Sequence, residues 1–101
     1  MSLTAIGSLA ELAKSIIDIV KEERDPIKAH MRIINKLESK IDEYEADITE
    51  ADDKIIALTA QGKTTEVEAE LRERQELIEA RDRCKESIKR RNDDFSEEHG
   101  S

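Results

Sequence analysis

The stretch INKLESKIDEYEADITEADDKI, residues 34–55, decides the fold, because isoleucine recurs in it at every seventh position. A repeat of this length places the isoleucines along one side of an α-helix, as position a of a coiled coil. Position d of the same heptads also carries mostly apolar residues. The a positions are Ile27, Ile34, Ile41, Ile48 and Ile55, and the d positions are His30, Leu37, Tyr44, Ala51 and Leu58. The stretch therefore predicts a long helix whose seam faces another helix.

Length and composition agree with a helical protein. The chain has 101 residues, which suit one small domain, with 42% charged and 2% aromatic residues. Such a composition, with apolar residues that are periodic, is typical of long helices and coiled coils. The net charge is −8, and nonspecific binding of nucleic acid needs clustered Lys and Arg. Nucleic acid is therefore not an expected partner.

Cysteine content and the N-terminal segment indicate the cellular compartment. Cys84 is the single cysteine, so the chain cannot form an internal disulfide. The most apolar segment, residues 1–20, contains Glu11, Lys14 and Asp18. It lacks both a basic start and a clear cleavage site, so a signal peptide is not expected. A cytoplasmic protein is the resulting expectation.

Two breaks divide the chain into three predicted helices. Asp25-Pro26 suits an N-cap followed by the first helical position, and Gly62 suits the left-handed residue that follows a helix. Thr65 to Glu68 has the T-x-x-E pattern of a capping box. The predicted helices span residues 3 (or 8) to 22, 26–61 and 66–94. The predicted regions are an apolar helix in 1–24, a hairpin in 25–95 with its turn near 61–65, and a disordered polar tail in 96–101.

The third helix can be folded back on the second as an antiparallel coiled coil. If Leu58 faces Val67, the numbers of facing residues sum to 125 along the whole seam. Ile41 then faces Cys84, and His30 faces Phe95. The predicted fold class is therefore all-α, an antiparallel coiled-coil helical hairpin with an additional apolar N-terminal helix. One unbroken helix in a long parallel dimer is the alternative, which Gly62 disfavours.

The first helix has more apolar residues than one contact face requires. We therefore expect it to contact both the hairpin and something outside the chain. A second copy, which would make a homo-oligomer, and a different protein are the two main alternatives. A membrane surface bound through residues 3–20 is a weaker alternative, since the segment lacks an aromatic anchor, and a compact monomer is the remaining one. The residues predicted to bind a partner are Ile6, Leu9, Leu12, Ile16 and Ile19.

A second candidate surface is the acidic side of the opening stretch. Between residues 42 and 53 no Lys or Arg interrupts a run of carboxylates. Either this is a solvated face, partly neutralised by arginines across the hairpin, or it docks on a basic partner and imitates a nucleic-acid backbone. The candidate residues are Asp42, Glu43, Glu45, Asp47, Glu50, Asp52 and Asp53.

No motif indicates catalysis, a cofactor or a metal. GKTT at 62–65 resembles the end of a phosphate-binding loop but lacks its first glycine. In the predicted register His30 and Cys84 are too far apart to share an ion, and no E-x-x-H pair is present.

The expected function is non-enzymatic: a structural or adaptor protein that acts by helix–helix association. The alternative is a small acidic inhibitor that covers a basic, nucleic-acid-binding surface of a partner. Size and charge are also typical of small accessory proteins, including viral ones.

Overall fold

The computed structural model describes residues 2–99, and for residues 2–4, 6 and 99 it describes the backbone only. Within this range the chain consists of three α-helices and no strand: α1 (Ser2–Glu22), α2 (Pro26–Ala60) and α3 (Thr64–His99). The all-α class predicted from the sequence is therefore confirmed.

The break between α1 and α2 contains Asp25, which is the N-cap of α2 as predicted. The Asp25 carboxylate accepts hydrogen bonds from the backbone N–H groups of Ile27 (2.9 Å) and Lys28 (3.4 Å). Pro26 occupies the first turn, where the proline has no helical hydrogen bond to lose. Arg32 also contacts the carboxylates of Glu22 (3.8 Å) and Glu23 (3.7 Å). The cap determines where α2 begins, and the solvent-accessible ion pairs add little to the stability of the corner.

The turn between α2 and α3 is a Schellman motif centred on Gly62. This glycine has φ +71°, the left-handed conformation predicted for it. The Gly62 N–H donates to the carbonyl of Thr59 (3.1 Å), and the Lys63 N–H donates to that of Leu58 (3.0 Å). These two bonds satisfy carbonyls that the end of a helix would leave unpaired.

Two predicted boundaries of the third helix are corrected. The helix begins at Thr64, and the Lys63 carbonyl accepts the first helical bond, from the Val67 N–H (3.0 Å). Thr65 therefore lies inside the first turn and is not the capping-box residue. At the other end α3 continues to His99. Residues 96–99 are thus helical where a disordered tail was predicted, because no Gly or Pro interrupts the helix before Gly100. Residues 100–101 lie outside the described range.

Helices α2 and α3 contact each other along their length. His30, near the start of α2, stacks on Phe95, near the end of α3, with 4.2 Å between ring centroids. Closer to the turn, Asp52 accepts a hydrogen bond from Arg74. The core between the two helices contains Leu37, Tyr44, Ile48, Ala51, Leu77, Ala80 and Cys84.

The isoleucine stripe is less buried than its regularity suggests. Ile48 is buried, whereas Ile34, Ile41 and Ile55 are only half-buried. Ile27, in the first turn of α2, is exposed. The d positions Leu37, Tyr44 and Ala51 are all buried.

Helix α1 packs against both other helices in the half of the molecule that is distant from the turn. The grooves beside it are lined by residues 32–39 of α2 and 83–91 of α3. The molecule measures 55 × 25 × 14 Å. It therefore has a half with three helices and, toward Gly62, a half with two.

Candidate partner-binding surfaces

The inner face of α1 holds most of the apolar residues that are predicted from the sequence to bind a partner. Leu12 and Ile19 are buried against the chain's own core, and Leu9 and Ile16 are half-buried beside it. Leu12 and Ile19 therefore do not face outward, because they lie one heptad apart on the side that covers α2 and α3. The side chain of Ile6 lies outside the described residues.

A second apolar stripe runs along the outer face of α1. Ala10, Ala13, Ile17 and Val20 follow one another at spacings of three, four and three residues, so they share one side of the helix. All four are exposed, with 53% of Ile17 and 60% of Val20 accessible to solvent. This outer stripe is the part of α1 that remains available for contact outside the chain.

The outer stripe borders an apolar groove between α1 and α3. The groove has a volume of about 320 Å³, and its α1 side includes Ala13 and Ile17. Leu37 and Cys84, each only 2% exposed, both lie in its lining. An apolar concavity with a few polar groups at its edge is typical of binding sites.

The polar groups of this groove are two arginines of α3. Arg83 and Arg91 both contribute to its lining. Arg91 Nε donates to Ser87 Oγ (3.2 Å). Among the described residues neither arginine forms an ion pair with a carboxylate. The groove thus combines apolar walls with two positive charges that form no ion pair with a carboxylate of the described residues.

The groove on the other side of α1 has a different character. It lies between α1 and α2, has a volume of about 430 Å³, and is lined mainly by polar and charged side chains. Asp18, Arg32 and Ser39 are among them. The two grooves beside one helix therefore differ in polarity, and only the α1–α3 groove offers a large apolar contact.

The acidic stretch of α2 is partly neutralised within the chain. Cations approach four of its seven carboxylates: Lys40 at Glu43 (3.6 Å), Lys85 at Glu45 (4.0 Å), Lys54 at Glu50 (3.7 Å) and Arg74 at Asp52. Arginines across the hairpin were the expected partners, but only Arg74 is an arginine; the other three cations are lysines. Asp42, Asp47 and Asp53 are exposed and form no ion pair among the described residues.

Charge is divided sharply along the molecule. Residues 42–80, which we call the arm, contain 13 Asp and Glu against four Lys and Arg, a net charge of −9. The remaining residues contain 12 acidic and 13 basic residues, a net charge of +1. The whole negative excess therefore lies on the half of the molecule around the turn.

Cys84 is buried in the core, and the half-buried His30 lies near the open end of α2 and α3. Burial raises the pKa of the Cys84 thiol, and the nearby Lys40 ammonium opposes this with a smaller effect. His30 Nε2 lies 2.9 Å from Asn92 Oδ1, in addition to stacking on Phe95. Within residues 2–99 no group of three or more His, Cys, Asp or Glu side chains is placed to hold a metal ion.

The same range contains no helix that combines the length and the apolar character needed to cross a bilayer. A search of protein-family models, curated proteins and solved structures finds nothing that matches this chain.

The α1–α3 groove and its arginines were not predicted from the sequence. Residues 9–17 and 83–91 are far apart in the chain, and no local pattern predicts which helix α1 will cover. The outer stripe could have been found, because its three-four-three spacing is visible in the sequence.

Proposed function

We propose that this protein is a non-enzymatic interaction protein that binds by helix–helix association through the outer face of α1. The observation that carries the proposal is the exposed stripe of Ala10, Ala13, Ile17 and Val20 beside an apolar groove. Exposed apolar patches of this kind are typical of protein-binding surfaces. The same face is the natural contact for the predicted homo-oligomer, for a different protein, or for both.

In this proposal α2 and α3 form an antiparallel coiled-coil hairpin that serves as the scaffold for α1. The stacking of His30 on Phe95, whose numbers sum to 125, supports the predicted register. The pair Asp52–Arg74, with a sum of 126, agrees to within one residue. A scaffold of this kind keeps α1 helical and holds its outer stripe in one orientation.

Sedimentation velocity and chemical cross-linking test the proposal. Wild-type protein is compared with Ile17→Ser/Val20→Ser at protein concentrations from micromolar to millimolar. We expect either self-assembly or a cross-linked complex with another protein of the native cell. The association should persist at about 0.5 M salt, because salt does not screen apolar contacts. The double variant should lose it. Ile56→Ser, which changes an exposed apolar residue on the arm, is the control and should retain it. Loss in the control alone, or in neither variant, would contradict the proposal.

A second function, docking of the arm on a basic protein surface, is favoured by its net charge of −9. The probe is a labelled DNA duplex bound to a basic DNA-binding protein. We expect the chain to displace the duplex at low salt and to lose this effect near 0.5 M, where charges are screened. Asp42→Asn/Asp47→Asn/Asp53→Asn should weaken displacement. Glu11→Gln/Asp18→Asn/Asp93→Asn removes the same charge elsewhere and should not. Equal effects of the two triple variants would exclude a role for the arm.

A further inference from the structure

The outer stripe of α1 and the α1–α3 groove form one apolar surface, because Ala13 and Ile17 belong to both. From Ala10 to Val20 the stripe extends about 15 Å, which is nearly three helical turns. A partner helix that docks in a groove presents anchors at positions i, i+3 or i+4, and i+7. The surface is long enough for such a set of anchors.

Positive charges lie on both edges of this surface. Arg83 and Arg91 are on its α3 edge and lack a carboxylate partner among the described residues. Lys14 and Lys21 are both exposed and directly follow Ala13 and Val20 of the stripe, one heptad apart. In a chain with a net charge of −8, cations on both edges of an apolar groove select for a negatively charged occupant.

We propose that the α1–α3 groove binds an amphipathic helix of a partner protein whose apolar stripe is flanked by Asp or Glu. This inference rests on the proposed function and names the chemistry of the partner at that same face. The apolar anchors would cover Ile17 and the floor at Leu37. The flanking carboxylates would pair with Arg83 and Arg91 on one side and with the lysines of α1 on the other.

A second copy of this chain suits the groove less well. If the outer stripe of a second α1 bound in the groove, Lys14 and Lys21 of that second copy would lie at the edges of the interface. They would then approach Arg83 and Arg91, and like charges placed together in an interface cost binding free energy. Charge complementarity therefore favours an acidic helix from another protein.

Two designed peptides test the proposal by fluorescence anisotropy on the full chain. Both are helical, about three heptads long, with leucine at positions a and d. One has glutamate at the flanking positions and the other has lysine. We expect the glutamate peptide to bind at least about tenfold more tightly, since like-charge contacts penalise the lysine peptide. Equal affinity of the two peptides for the wild-type chain would overturn the proposal, whatever the variants do.

Charge reversal locates the site. Arg83→Glu/Arg91→Glu should reverse the preference in favour of the lysine peptide. Lys85→Glu/Arg90→Glu makes the same change in net charge at a separate surface of α3 and should leave the preference unchanged. Circular dichroism melts establish that each variant is folded. A preference that survives the first variant, or disappears in the second, would place the peptide elsewhere and contradict the proposal.

The remaining outcomes separate this inference from the proposed function. If Ile17→Ser abolishes binding of both peptides but no charge preference exists, helix association stands and the acidic partner is excluded. If neither peptide binds and Ile17→Ser has no effect on assembly, both fail. If neither peptide binds and Arg83→Glu/Arg91→Glu abolishes a wild-type dimer in sedimentation, the occupant is a second copy. If dodecanoate alone binds, the occupant is a small amphiphile, and the inference again fails.

Discussion

The hydroxyl group of Tyr44 is the least satisfied polar group at the centre of the core. Only 2% of this residue is exposed, and its Oη has no hydrogen-bond partner among the described residues. The Lys40 ammonium lies 5.8 Å from the ring centroid. The ring therefore contributes packing and a weak cation–π contact, whereas the hydroxyl loses its hydration without compensation.

Tyr44→Phe should consequently be neutral or stabilising, by up to about 1 kcal/mol, because it removes an unpaired buried group and keeps the ring. Tyr44→Ala, which removes the ring as well, should cost about 3–5 kcal/mol. Urea denaturation measures both. A loss of more than about 1 kcal/mol in the phenylalanine variant would mean that the hydroxyl is hydrogen-bonded in the folded protein.

Cys84 should make stability depend on alkaline pH. Burial raises the pKa of its thiol in the folded state, so the unfolded chain releases this proton at a lower pH than the folded chain. The resulting stabilisation is complete below the unfolded pKa, about 8.5, and is lost as pH rises through the higher folded pKa. The difference in unfolding free energy between wild type and Cys84→Ala should therefore shrink above pH 8.5. A constant difference from pH 7 to pH 10 would contradict this.

Replacement by alanine should have opposite effects on stability at Gly62 and at Gly7. Gly62 has φ +71°, which costs an L-residue about 1–2 kcal/mol, so Gly62→Ala should destabilise by about 1 kcal/mol. Gly7 lies within α1, and nothing approaches the position of an added Cβ. Gly7→Ala should therefore stabilise by about 0.5–1 kcal/mol through helix propensity. Thermal melts of the two variants measure the contrast, and shifts of the same sign would contradict it.

At the scale of the helices, α1 has one buried face and one exposed apolar face. Ile19→Ala removes a buried side chain that does not line the α1–α3 groove and should cost about 2–5 kcal/mol. Ile17→Ala changes an exposed one and should alter stability by less than about 0.5 kcal/mol while weakening partner binding. Denaturation and the binding assay together measure this separation. Weaker binding in Ile19→Ala at a temperature where the variant is fully folded would contradict it.

Some features of the fold could be predicted from the sequence, but the orientation of α1 could not. Asp25 and Gly62 were predictable as helix boundaries because a side-chain cap and a left-handed residue act through bonds to their immediate neighbours. The facing of His30 and Phe95 followed from counting outward from the turn. The side of α1 that would be buried could not be predicted, because its apolar surface is wide enough for two contacts. Leu12 and Ile17 are equally apolar, and only the packing of α1 on α2 and α3 distinguishes them.

At the scale of the whole molecule, the two halves differ in both charge and packing. The half with three helices contains the α1–α3 groove, and its core includes Leu12, Leu37 and Cys84. The arm carries the negative excess on two helices. Because the grooves beside α1 involve α2 only up to residue 39 and α3 only from residue 83, shortening the arm should leave the groove intact.

Deleting residues 49–55 together with residues 70–76 tests this independence. These two heptads face each other in the proposed register with a sum of 125, so their joint removal should keep the remaining pairs aligned. We expect a shorter protein that unfolds cooperatively and binds the glutamate-flanked peptide like wild type. It should displace DNA from a basic protein less effectively, because the deletion removes six acidic and three basic residues and reduces the net charge of the arm from −9 to −6. Deleting only 49–55 should instead shift α2 against α3 by about 10 Å, separate His30 from Phe95, and abolish cooperative unfolding in circular dichroism. If the matched deletion also fails to fold, the arm stabilises the half with three helices, and the two halves are not independent.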